Sequence, residues 1–273
     1  MKNLFKNIQS ISFLVAILIY SGCATNAITG RKQLSLVSDG EMQSMALTQY
    51  KDFLNGNKVV PASTDNAAMV KRVGQRIAAA ITKYYASKGQ SAALNGYNWE
   101  FNLVQSSEVN AWCMPGGKVV VYTGLLPVTK DEASLAIVLG HEITHAVAGH
   151  GKERYSQQLL AQGIESVGGA ALGSNPKAVS IFNSVYAPSA QVGVLLPNSR
   201  KQELEADHYG LIFAAMAGYD PRVAIPFWQR MAALGANGQK PPAMLSDHPS
   251  DEQRIAAIRQ LMPEALTYYQ GNK

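Results

Sequence analysis

Apolar residues recur at steps of three and four along most of this chain, and alternate with polar residues over short stretches near its middle. The first pattern belongs to amphipathic helices and the second to half-buried strands. Met69, Val73, Ile77, Ala80, Ile81 and Tyr84 put one apolar stripe on a helix over residues 65–87, and residues 38–53 repeat the spacing. Residues 89–96, bounded by glycines, read as a loop. Trp99, Phe101 and Leu103 alternate with polar residues and predict a strand. Val109 to Cys113 and Lys118 to Tyr122 predict two more, joined through Pro115-Gly116-Gly117, a run with turn chemistry. From 131 to 149 the helical spacing returns through Leu135, Val138, Leu139 and Ile143, with Thr129 and Glu132 as a capping-box pair and Gly149 at its end. Residues 200–218, 222–234 and 251–261 carry three further helical patterns. Residues 157–197, rich in Gly, Ala and Ser, read as short helices and loops that would cover a cleft. Helices, a small sheet, then helices make the expected class α+β and mainly helical.

Inside the 131–149 helix stands His141-Glu142-Ile143-Thr144-His145. Two imidazoles four residues apart on a helix share a face and can bind one metal ion. The carboxylate beside the first is then placed to take a proton from water at the metal's open position. This geometry belongs to zinc peptidases. A third ligand is required. The position six residues past His145 is Gly151, which cannot serve, and His150, nine residues from His141, falls on the opposite face of a continuous helix and reads as a polar residue near its end. Glu165 lies at a workable distance among glycines that disfavour a helix. Glu203 and Asp207, four apart, share a helical face: one can bind the metal while the other accepts a hydrogen bond from a ligand histidine. Glu205 points elsewhere.

Composition adds bounds. With 273 residues, 47% of them hydrophobic, the chain can bury one sizeable core. A formal charge of +5, spread along the sequence, gives no reason to expect nucleic acid as a partner. Residues 1–22 read as an export signal: Lys2 and Lys6, an apolar run from Ile8 to Tyr20 shorter than a membrane span, then Ser21-Gly22-Cys23-Ala24. Small residues before a cysteine resemble a bacterial lipoprotein processing site. Cleavage would leave Cys23 acylated, tethering the body to a membrane without spanning it. Tyr20 departs from the aliphatic residue usual there, and Ala24 resembles signals sorted to the outer membrane. An uncleaved anchor is the alternative. No other stretch reaches about 18 apolar residues. With Cys23 acylated, Cys113 has no disulfide partner and reads as a small packed residue.

These motifs together resemble the HtpX, BepA/LoiP and Oma branch of membrane-associated zinc metallopeptidases, gluzincins related to the CAAX prenyl protease. The resemblance runs over about residues 26–260. It is carried by Asn26-Ala27-Ile28-Thr29-Gly30-Arg31-Lys32-Gln33-Leu34, by Asn110 to Gly117, by the His-Glu helix, by Leu196-Pro197-Asn198-Ser199-Arg200 running into Glu203 and Asp207, and by His248-Pro249 followed by Arg254-Ile255. It implies a zincin-like domain with one Zn2+ held by His141, His145 and Glu203, Glu142 as general base, and Asp207 behind a ligand histidine. His248 matches a histidine that approaches the metal, either closing the open position or stabilising the oxyanion. Asn110 and Ala111 match an edge strand that takes the substrate backbone as an added strand. No repeated period suggests a helical repeat domain of the BepA kind. The expected organisation is a signal over 1–22, a tether over 23–37 and one peptidase domain over 38–273. The expected function is an endopeptidase lipid-anchored in the bacterial envelope, outer membrane facing the periplasm, acting on misfolded or unassembled proteins. The alternative is a chaperone that binds extended clients.

Overall fold

The computed structural model describes residues 23–163, 172–186, 199–236, 244 and 252–270. The first described element corrects an expectation. Residues 23–34 of the expected tether form a hairpin: β1 (Cys23–Thr25) pairs antiparallel with β2 (Lys32–Leu34), with Ala24 opposite Gln33. Asn26 makes the turn. Its Oδ1 accepts from the amides of Ile28 and Thr29, at 2.9 and 3.0 Å, and Gly30 takes a left-handed φ of 67°. The Asn26 amide also donates to the Ala148 carbonyl, which fastens the hairpin to the body of the protein.

Helix α1 (Asp39–Gly56) starts at a capping box in which Ser38 and Glu41 satisfy each other's backbone amides. Helix α2 spans Asp65–Ser87, as the stripe of apolar residues predicts, with Thr64 as its cap. Three strands follow: β3 (Glu100–Val104), β4 (Ala111–Met114) and β5 (Lys118–Tyr122). Their order is β3-β5-β4, with β3 parallel and β4 antiparallel to β5. The β4–β5 turn needs φ of +81° and +80°, which Gly116 and Gly117 supply. The sheet is covered on both faces. Leu103, Cys113, Val119 and Val121 join a core with α2 and the helices that follow, while Val104, Trp112, Val120 and Tyr122 join a second core with Tyr50, Tyr155 and Phe182. That is why both phases of the alternation in β5 are apolar.

After a short α3 (Leu126–Thr129), helix α4 (Glu132–Val147) carries the His-Glu motif. Its cap is Asp131, which accepts from the Ser134 amide at 2.7 Å, and not Thr129. The Thr129 hydroxyl donates back to Leu126, and Lys130, at a φ of 67°, separates the two helices. Then come α5 (His150–Ala161), α6 (Pro176–Tyr186), α7 (Ser199–Met216), α8 (Ala224–Ala236) and α9 (Glu252–Tyr268). Of the 157–197 segment, residues 164–171 and 187–198 lie outside the described residues. No helix among the described residues is long and apolar enough to cross a membrane.

Helix α4 is buried along most of its length and packs most extensively on α7. Gly140 and Gly210 make that crossing tight: a Cβ on Gly140 would lie 2.6 Å from the Gly210 carbonyl oxygen, and one on Gly210 would lie 2.8 Å from the His141 amide. Two glycines therefore let the helices meet backbone to backbone, next to His141 on α4 and one turn from Asp207 on α7.

Candidate metal centre

The motif histidines and the carboxylates of α7 meet at this crossing. His141, His145 and Glu203 are all buried. His141 Nε2 lies 3.1 Å from His145 Nε2, and the two Glu203 oxygens lie 3.3 Å from these same nitrogens, one each. A tetrahedral ion about 2.0–2.2 Å from each donor needs donors about 3.3–3.6 Å apart. The Glu203 distances meet that spacing and the 3.1 Å between the two rings falls just short of it, and the donors are the imidazole and carboxylate groups that suit zinc.

Both rings turn their second nitrogen away from the triangle. His141 Nδ1 lies 3.0 Å from Asp207 Oδ1. Asp207 in turn receives two 2.7 Å bonds from Arg254, whose guanidinium stacks 3.6 Å over the Trp228 ring. His145 Nδ1 lies 3.0 Å from His150 Nδ1, and His150 Nε2 lies 3.0 Å from Glu205 Oε2. The sequence reading put His150 on the far face of α4. Gly149, with a left-handed φ of 63°, ends that helix and starts α5, so His150 folds back against His145.

The charges follow from these contacts. Burial and Arg254 push His141 down, but Asp207 and Glu203 outweigh them and its pKa stands at about 9. Burial holds His145 well below the usual histidine range against the pull of Glu203, and it lowers His150 against Glu205. Burial raises the Asp207 carboxyl, yet Arg254 and His141 together hold it below its ordinary value. The pull of two carboxylates on one buried imidazole is also what a dication would feel there.

Glu142 is buried at the same site, near enough to β4 for its charge to add to the burial that raises the Cys113 thiol. A thiol so raised is a packing group rather than a nucleophile. Asn110 and Ala111 are buried at the start of β4, an edge strand among the described residues. The Asn110 carbonyl accepts from Tyr122 on the sheet side, while the outward Ala111 amide donates to the Asn110 side chain at 2.9 Å. His248 and Glu165 lie outside the described residues. Cys23 is exposed at the start of β1.

Sequence reasoning missed the support of His145 altogether. Arg31 and Arg254 stood in the stretches that carried the family resemblance, but nothing local showed what they touch. For His150 the signal was Gly149, which marks a helix that stops and restarts.

A buried two-histidine, one-carboxylate triangle, with a glutamate beside the first histidine on a helix laid along a small sheet, defines a metallopeptidase of the zincin-like class. The model of peptidase family M48 matches residues 66–262, and the chain belongs to that family. Similar proteins include the mitochondrial metalloendopeptidase OMA1 of Schizosaccharomyces pombe, 32% identical over 87% of this chain and 66% of that protein. The human mitochondrial metalloendopeptidase OMA1 is 28% identical over 96% of this chain and 50% of its own length. The beta-barrel assembly-enhancing protease of Yersinia pestis is 30% identical over 66% of this chain and 38% of that protein. The chain thus spans about a third to two thirds of the length of these relatives.

Proposed function

We propose that this protein is a zinc-dependent endopeptidase of the bacterial envelope, anchored by lipid at Cys23, that cleaves misfolded or unassembled envelope proteins. The observation that carries the reading is the triangle of His141, His145 and Glu203 with Glu142 beside it. A purely structural metal site needs no further carboxylate next to its ligands. Zinc, when bound, supplies the positive charge that polarises a substrate carbonyl and acidifies water. Glu142 takes the proton of the attacking water and later delivers it to the leaving amine. With zinc bound, His141 and His145 would each offer it the Nε2 lone pair, and Glu203 would close the triangle. The edge of β4 supports a substrate held in extended form: an incoming strand would take over the outward Ala111 amide from the Asn110 side chain. His248 is assigned by resemblance to the open side of the metal, where it would block the resting site or steady the oxyanion.

The envelope assignment draws on the signal-like residues 1–22 and on the bacterial relatives named beta-barrel assembly-enhancing protease. Zinc content and cleavage of an unfolded protein such as casein, measured side by side for wild type and Glu142→Gln, test the enzyme. One zinc per chain in both, with kcat lower by about 10²–10⁴-fold in the variant, is the expected result. Zinc in both but cleavage in neither would favour the chaperone reading. Undiminished cleavage by Glu142→Gln would remove Glu142 from its role.

A further inference from the structure

A histidine that binds metal through one nitrogen must carry its proton on the other. On His141, Nδ1 faces Asp207 Oδ1 at 3.0 Å, and a carboxylate only accepts; Arg254 Nη2, 3.2 Å from the same nitrogen, makes its shorter bond of 2.7 Å to that carboxylate. On His145 the neighbour is another histidine, which can donate or accept, and the direction is set one step further out. Arg31 holds Glu205 through its Nε at 2.8 Å and clamps Glu153 through both terminal nitrogens at 2.7 Å. Held this way, Glu205 accepts, so His150 carries its proton on Nε2 and donates across 3.0 Å. Nδ1 of His150 is then an acceptor, and Nδ1 of His145 donates to it across 3.0 Å. His145 Nε2 is left with its lone pair facing His141 and Glu203. Any reversal along this line would put an N–H of His145 where the metal binds.

We infer that Arg31, Glu205 and His150 are positioning residues that fix the tautomer and ring orientation of His145, so that the N-terminal hairpin is a working part of the metal centre. The inference rests on reading His141, His145 and Glu203 as metal ligands. Three separate segments converge to build the relay: the hairpin loop, the first residue of α5 and the second turn of α7. His150 and Glu153 are buried, and Gln202 adds a 2.8 Å bond to Glu153. Packing alone does not call for such a network, because apolar side chains of similar volume can often replace buried ion pairs without loss. The hairpin is also fastened at Ala148, the residue that caps α4 one turn beyond His145.

The test uses the full chain as wild type, His150→Phe, His150→Gln and Arg31→Ala. Long-range ¹H–¹⁵N spectra of the metal-free wild type should show His145 as the Nδ1–H tautomer. Zinc affinity by chelator competition should fall about 10–100-fold in His150→Phe. The kcat for a peptide should fall with it, while KM stays within about two-fold. His150→Gln, whose amide can accept from His145 and donate to Glu205, should recover much of both, and Arg31→Ala should lose affinity in the same direction. If His150→Phe fails to fold, Arg31→Ala carries the affinity test. The inference is overturned if His145 is the Nε2–H tautomer, if His150→Phe or Arg31→Ala holds zinc as tightly as wild type, or if Phe serves as well as Gln at 150. Wild-type protein that binds no zinc would instead fail the ligand assignment on which the inference rests.

Discussion

His141 and His145 sit one turn apart on the same face of one helix and offer the same atom to the same site, yet they are backed in opposite ways. Behind His141 stands a compact pair from the C-terminal half, Asp207 and Arg254, both almost fully buried. Behind His145 stands a line of groups, His150, Glu205 and Arg31, that ends in a partly exposed hairpin at the start of the described chain. The first arrangement spends two side chains and depends on the packing of α7 and α9. The second depends on a piece of chain more than 100 residues away in sequence. A ligand's geometry is thus set by the fold around it and not by the motif that contains it, and identical motif residues can answer to different parts of the molecule.

Removing the arginine from each side sharpens the contrast. Arg254→Ala leaves Asp207 buried with its main counter-charge gone and takes the guanidinium off Trp228, so it should destabilise the protein by about 3–5 kcal/mol in chemical denaturation. Arg31→Ala should cost less, because Arg31 and Glu205 retain contact with solvent and the buried Glu153 keeps its bond from Gln202. Equal losses would mean that the two supports are not the different structures described. Gly140→Ala strikes both at once. An added Cβ must displace the Gly210 backbone, which should cost about 1–3 kcal/mol and weaken zinc binding by moving Glu203 away from both rings. Full zinc affinity in that variant would show that the crossing has slack.

The gentlest probe is pH, applied to metal-free protein. His141 has a folded pKa of about 9, above its unfolded value of 6.5, so its contribution is complete below 6.5 and is lost as pH rises through 9. His145 and His150 are lowered, so their contribution is present above 6.5 and is lost as pH falls below it. Stability should therefore peak near pH 6.5, falling from there towards about 9 as His141 loses its proton and falling below 6.5 on account of His145 and His150. A thermal-denaturation series across pH that showed only an acid limb would contradict the charge balance at His141.

Much of this was legible in the sequence. Helix α2 runs over the residues its apolar stripe marks, and the strands fall within a residue or two of the alternating runs, because periodicity is local and both elements bury a full face. The metal triangle was legible because the spacing of His141 and His145, and of Glu203 and Asp207, is fixed by the helical turn. What escaped depends on breaks and on close approach. Helical geometry excludes His150 only while the helix is continuous, and a single left-handed residue at Gly149 reverses that conclusion. Three-residue strands such as β1 and β2 are too short to show a period, so a hairpin with buried Asn26 and Gln33 looked like a polar tether. Gly140 and Gly210 add nothing to a periodic pattern, although their lack of a side chain is what lets α4 and α7 meet.

The most direct measurement is X-ray absorption at the zinc edge on loaded wild-type protein. The spectrum should show one zinc per chain with two imidazole nitrogens at about 2.0–2.1 Å, oxygen donors at about 2.0–2.2 Å and no sulfur. A sulfur shell at about 2.3 Å, or failure to retain one equivalent of metal, would contradict a centre built from His141, His145 and Glu203.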